Sequence, residues 1–286
     1  AYGPKPANGA VNVPQSPELR WTVGVNAAQH EVYFGEDQEA VANATTADDV
    51  YQGRQALDET MFLPGDLEWN KTYYWRVDEI NSADPESPWK GSVWAFTTAD
   101  FIVVEDFESY TDNMEAGEAI FQTWIDGVDN GTGSYVGYET SGGGTFGERT
   151  IVHSGGQSMP LAYDNALTPY YSQADRTWAT VQNWTLNGVD TLTLYFRGTA
   201  ENEAAGLYVI LADSTGRSAT VTHPDPTAVQ ATGWTAWNIP LSDFAGVNAA
   251  RIEEMHIGVG NASSPTPGGA GTVYIDDIRV TKPAVE

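Results

Sequence analysis

The chain contains no cysteine. That excludes disulfides, cysteine-based zinc or redox centres and thiol nucleophiles. It does not fix the compartment, because secreted proteins can lack cysteine altogether. No stretch approaches the ~20 apolar residues of a spanning helix, so membrane insertion is not expected. Cations are scarce as well: 13 Lys+Arg stand against 39 Asp+Glu, a net charge of −26. A field of that sign repels nucleic acid and anionic membrane surface, and a polyanionic polysaccharide too unless a cation intervenes. A neutral glycan or a divalent metal suits the charge better. Catalytic signatures are missing. The four histidines, His30, His153, His223 and His256, show no HExxH spacing, and no GxSxG, P-loop or dinucleotide fingerprint occurs. The run Gly142-Gly143-Gly144 reads as a loop before Thr145-Phe146-Gly147, not as a strand-to-helix turn.

What is present is β-structure. Across 286 residues, 41% of them hydrophobic, there is enough for two buried cores. The apolar residues alternate in short runs broken by Gly, Pro, Asn and Asp, the pattern of an all-β chain. The one short helical candidate, Glu36 to Asn43, reads as a turn between strands. The opening Ala1-Tyr2-Gly3-Pro4, without Met or an apolar leader, reads as a mature or excised fragment. Five Asn-x-Ser/Thr sequons begin at Asn43, Asn70, Asn130, Asn183 and Asn261 and matter only in a eukaryotic secretory host. A boundary is expected between Ala99 and Asp100, dividing the chain into domains 1–99 and 100–286.

In the first domain, Pro4 to Asn12 and Pro17 to Trp21 read as the opening strands and His30 to Phe34 as the third. Leu67 stands six residues before Tyr73, the spacing of a tyrosine corner, and Trp94 to Thr98 closes the domain. This domain resembles a fibronectin type III sandwich. Trp21, Tyr33, Trp75 and Trp94 are assigned to its core. The resemblance implies a spacer in a secreted polysaccharide-degrading protein.

In the second domain, strands are expected at Ser158–Tyr163, Thr191–Arg197, Leu207–Asp213, Ser218–His223, Thr235–Ile239, Glu254–Val259 and Thr272–Val280, beside an opening strand from Phe101 to Glu108. The order DFE, SGGQS, TLYFRG, IPLSDF and VYIDDIRV resembles the jelly-roll carbohydrate-binding modules attached to glycoside hydrolases and polysaccharide lyases. The resemblance implies a structural Ca²⁺ held between the first and last strands. Carried over to this chain, Glu108 and Asp276 are its first ligands and Asp106 follows, with carbonyls of the Ser154 to Ser158 turn completing the shell. Calcium takes such hard oxygens in forgiving geometry, and two acidic strand ends side by side would repel without a cation. The plainer reading is that these carboxylates solvate a strand edge.

Strand parity puts Tyr195 and Arg197 on one face of their strand, opposite Leu192, Leu194 and Phe196, and sets His256 opposite Met255 and Ile257. These three are the candidates for a sugar groove, with Tyr135, Tyr138, Tyr170, Tyr171 and Trp178 as loop aromatics at its rim. Each can equally be a cross-strand partner. Trp184, Trp234 and Trp237 are assigned to the core or the junction. The function expected is therefore non-catalytic binding of a polysaccharide or oligosaccharide by a monomeric module. Two alternatives stand beside it: a jelly-roll polysaccharide lyase or hydrolase, with Tyr195, Arg197 and His256 as the lyase trio, and a cell-surface adhesion or structural module.

Overall fold

The computed structural model of the protein describes residues 1–139 and 144–283. The expected loop at Gly142 and Gly143 lies outside the described residues. The fold is all-β and divides into two compact units, Ala1–Ile102 and Val103–Glu286. The division falls just beyond Ala99 because Gln15 Nε2 donates to the carbonyls of Ala99 and Phe101, tying them to the first unit.

The first unit holds eight strands: β1 (Tyr2–Lys5), β2 (Ala10–Val13), β3 (Leu19–Thr22), β4 (Gln29–Gly35), β5 (Tyr51–Ala56), β6 (Met61–Phe62), β7 (Thr72–Ile80) and β8 (Trp94–Thr98). They form one sheet of order β1-β3-β6 and another of order β2-β8-β7-β4-β5. Trp21, Val32, Trp75, Val77, Trp94 and Phe96 are buried in one core. Tyr33 is buried outside that cluster, under the Arg76 guanidinium 4.1 Å from its ring. Tyr73 Oη accepts a hydrogen bond from Glu68 N at 3.0 Å, the upstream backbone bond that the spacing predicts. The segment expected as a plain turn is instead a short helix, α1 (Gln38–Asn43). The carboxylate of Asp37 caps it by accepting from Ala40 N.

The second unit continues with β9 (Ile102–Glu105), β10 (Ser134–Val136), β11 (Met159–Asp164), β12 (Tyr171–Gln182), β13 (Thr191–Arg197), β14 (Leu207–Asp213), β15 (Ser218–Thr222), β16 (Thr235–Pro240), β17 (Ile252–Gly260) and β18 (Ala270–Thr281). A large sheet runs β10-β11-β18-β13-β16, with β9 also on β18; a small sheet runs β12-β17-β14-β15. Leu192, Leu194, Phe196, Val273 and Ile275 bury the inner face of the first. Leu207, Val209, Leu211, Met255 and Ile257 bury that of the second.

In the second unit β10 and β12 escaped the sequence reading, as β5 and β6 did in the first. In β12 the inward residues are Ser172, Ala174, Arg176 and Trp178, so no aliphatic alternation announces it. The opening strand also stops early. Phe107 has φ +60 and is fully buried, so the simple alternation expected from Glu105 to Glu108 breaks there.

Strand β18 carries a bulge that parity arguments missed. Thr193 pairs with Arg279 but Tyr195 pairs with Asp276, so three steps on β18 face two on β13. Asp277 absorbs the extra residue at φ +46. Asp276 and Asp277, which unbroken alternation would put on opposite faces, are thereby both turned to the outer one.

Candidate functional site

The outer face of the small sheet is a polar surface built by register. Gln173 lies opposite Gly258, Asp175 opposite His256 and Thr177 opposite Glu254; on the far side of β17, Tyr208 and Ile210 of β14 pair with Gly258 and His256. Directly paired residues share a face. Asp175 Oδ1 accepts from His256 Nδ1 at 2.7 Å and from Gln173 Nε2 at 2.6 Å. Its other oxygen accepts from Asn130 Nδ2 at 3.0 Å. Burial pushes the Asp175 carboxyl up, but the bonds from His256 and Gln173 outweigh it and hold the group below the usual aspartate range. Tyr208 Oη donates to Gln173 Oε1, and its ring lies where a side chain on Gly258 would have to go. His256 Nε2 faces Glu254 at 3.4 Å, not a serine or threonine hydroxyl, so no nucleophilic relay is assembled there. Thr177, Thr220 and Thr222 stand exposed on the same face.

At one end of this face lies a hollow of ≈ 380 Å³, lined by Asn165, Tyr170, Gly206, Thr222 and Asn261 among others. That size suits a small ligand, since such pockets run to roughly 300–1,000 Å³. Tyr171 begins β12 opposite Gly260 and borders the same end. The rim tyrosines Tyr170 and Tyr171 thus accompany His256.

Tyr195 and Arg197 do not. They sit on the outer face of the large sheet, so the trio suspected of lyase chemistry is split between two sheets. One face of the Tyr195 ring is already covered by His153, stacked with centroids 3.6 Å apart, and Trp234 meets His153 edge-on. Trp178 points inward, packed edge-on against buried Trp184, and is no rim residue. Tyr135 and Tyr138 also lie on the large-sheet side, lining a separate hollow. The sequence reading missed Gln173, Asp175 and Tyr208 altogether, because the first two belong to the unrecognised β12.

The structure brings the expected calcium ligands to one turn but gives them other partners. Glu108 Oε1 accepts from Gly156 N at 2.9 Å and Gln157 N at 3.1 Å. Asp276 Oδ2 accepts from His153 N at 2.8 Å and Ser154 N at 3.3 Å, while its Oδ1 accepts from Asp277 N. Asp106 accepts from Glu108 N, and Ser158 Oγ donates to the Ile151 carbonyl. Ser154 Oγ donates to Asp277, which also holds His153 Nδ1 at 2.5 Å and Arg279 at 2.8 Å. These N–H groups aim their positive ends at the lone pairs a calcium ion would use. Arg279 and the His153 ring bond Asp277, while burial and the Asp277 charge still push the Asp276 carboxyl up to about 6. Among the described residues no three His, Asp or Glu side chains gather into a metal-holding group. In this arrangement protein donors occupy carboxylate oxygens that the resemblance assigned to calcium.

No family model matches the chain, and no curated protein matches it. Solved structures of low similarity include the family 11 carbohydrate-binding module of a cellulosomal cellulase of Clostridium thermocellum: 14% identity, TM-score 0.38, covering 64% of this chain and 94% of that one. A family 30 carbohydrate-binding module of another cellulosomal cellulase of that organism shows 14% identity and TM-score 0.36, covering 54% of this chain and 94% of that one. An exo-β-agarase shows 11% identity and TM-score 0.45 over 64% of this chain and 25% of its own. Identities and scores this low say nothing of ligand, and the site stands or falls on this chain's own residues.

Proposed function

We propose that the second unit is a non-catalytic carbohydrate-binding module whose sugar lies across the outer face of the small sheet. One observation carries this reading: the half-buried polar row Gln173–Asp175–His256, fixed by its own hydrogen bonds and ending at Tyr170 and Tyr171. A sugar presents hydroxyls, which both donate and accept, and C–H faces that pack on aromatic rings. A row mixing carboxylate, amide, imidazole and hydroxyl groups answers the first need, and the tyrosines answer the second. Pre-fixed side chains keep the entropy cost of binding small.

The sequence resemblance supports a jelly-roll module. The strand order β1-β3-β6 against β8-β7-β4-β5, with the Tyr73 bond, supports a fibronectin type III-like spacer before it. Together they suit a secreted glycan-degrading protein with further domains. Affinity electrophoresis in gels containing neutral polysaccharides tests the reading. Retardation of the wild type and its loss in His256→Ala is the expected result; equal mobility in every gel refutes it.

A further inference from the structure

Five Lys or Arg side chains of this chain are not exposed: Lys71, Arg76, Arg176, Arg197 and Arg279. Four of them hold carboxylates, namely Lys71 with Glu36, Arg76 with Asp78, Arg176 with Glu105 and Arg279 with Asp277. Arg197 holds none. Its Nε is buried without any hydrogen-bond partner, and no ion pair or hydrogen bond engages the rest of its guanidinium among the described residues. In a chain with 39 acidic side chains and 13 basic ones, an unpaired half-buried arginine runs against the charge ratio. An arginine kept to hold the fold together would have acquired an acceptor, because an unmet buried donor is costly.

Its setting suits a ligand. Arg197 shares the outer face of the large sheet with Tyr195, two residues before it, and pairs directly with Tyr274, which in turn pairs with Pro160. Pro160 lines a hollow of ≈ 330 Å³ together with Tyr135, Tyr138 and Thr272, so open space begins one strand beyond Tyr274. Two nearby acids are engaged elsewhere: Asp276 accepts backbone N–H groups, and Glu148 accepts from Tyr138 Oη and Thr150 Oγ1. Glu139 also lines the hollow, exposed to solvent.

We propose that Arg197 anchors a second ligand site, on the large-sheet face, which takes an acidic sugar unit through a carboxylate or sulfate oxyanion. The forked guanidinium matches the paired oxygens of either group, and Tyr135 and Tyr138, which line the hollow, offer apolar surface to the ring that carries it. That the anion is borne by a sugar rests on the carbohydrate-binding reading; the pairing with Arg197 does not. The net charge opposes a polyanion at long range while the arginine contact acts at short range. Salt of ~0.15 M, with its Debye length of about 8 Å, screens the first more than the second. Binding therefore survives, or strengthens, as salt rises to that level.

Titration calorimetry with oligogalacturonate, a sulfated galactan oligomer and a neutral cello-oligosaccharide tests this on wild type, Arg197→Gln, Arg197→Lys and His256→Ala. The wild type should bind at least one acidic oligomer at ~0.15 M salt. Arg197→Gln should weaken that binding at least about tenfold, Arg197→Lys less, with melting temperatures at or above wild type. Which acidic oligomer responds identifies the oxyanion. Absence of acidic binding in the wild type, unchanged affinity in Arg197→Gln, or a clearly lowered melting temperature in both Arg197 variants each overturns the proposal. If acidic binding depends on Arg197 while the neutral oligomer fails to bind, the small-sheet reading falls and this one stands.

Discussion

Asp276 and Asp277 are sequence neighbours on a strand, yet both carboxylates bond the His153–Ser154 turn on one side of the sheet. The bulge at Asp277 makes this possible, and it brings protein donors to oxygens expected to hold a metal. Chelation should therefore leave stability unchanged. Calorimetric melting in EDTA and in millimolar Ca²⁺ should give superimposable transitions. A second-unit transition that drops in EDTA and returns with calcium would show that the N–H donors yield to the ion.

Gly258 tests the small-sheet face from below. A Cβ there would collide with the Tyr208 ring and lie 2.6 Å from the Ser172 carbonyl oxygen. Gly258→Ala should destabilise the second unit by about 1–3 kcal/mol, as overpacking does, and should displace Tyr208 from its bond to Gln173. Denaturant unfolding measures the first effect. Wild-type stability in this variant would mean that Tyr208 does not lie over Gly258.

Glu148 sets an acid limit. Burial pushes its carboxyl up, but Thr150 and Tyr138 hydroxyls and the amides of Ile151 and Thr150 outweigh that and bring it down to about 2. Its folded value lies below the unfolded one of about 4.3. Its contribution is therefore whole above pH ~4.3 and fades as pH falls toward 2. Glu148→Gln should cost about 2–3 kcal/mol at pH 7 and little near pH 2. A deficit independent of pH, in urea unfolding at both values, would contradict the assignment.

Much of this architecture can be read in the residues, and the failures share a cause. β13 matches its expected span because Leu192, Leu194 and Phe196 alternate cleanly with polar positions, and β14 because Leu207 to Ala212 is one short apolar run closed by Asp213. β12 is invisible because Ser172, Ala174 and Arg176 fill its inward face, and Arg176 is buried only by virtue of Glu105, far away in sequence. With β12 unseen, Asp175 and Gln173 had no strand to sit on, and the site lost two of its three central groups. Parity also fails wherever one residue is inserted: nothing in Ile275-Asp276-Asp277-Ile278 announces that Asp277 is left-handed. Which sheet His256 and Tyr195 belong to depends on pairings across more than forty residues, which alternation does not encode.

Tyr73 is a simpler case, visible from spacing alone. Tyr73→Phe removes the acceptor for Glu68 N and little else, so it should cost about 1 kcal/mol and lower the first unit's melting by roughly 4–8 °C. The second unit should melt as before. Coincident loss in both units would show that they do not unfold independently.

The central claim is that sugar binds at the small-sheet face. The most direct measurement is a glycan array probed with wild type and Asp175→Asn, which keeps the side-chain shape but removes the charge that His256 and Gln173 share. The account predicts selective binding by the wild type and a loss of about tenfold or more in the variant, as a charge-assisted bond worth about 1.5–3 kcal/mol implies. Wild-type silence across the array, or identical binding by Asp175→Asn, would contradict it.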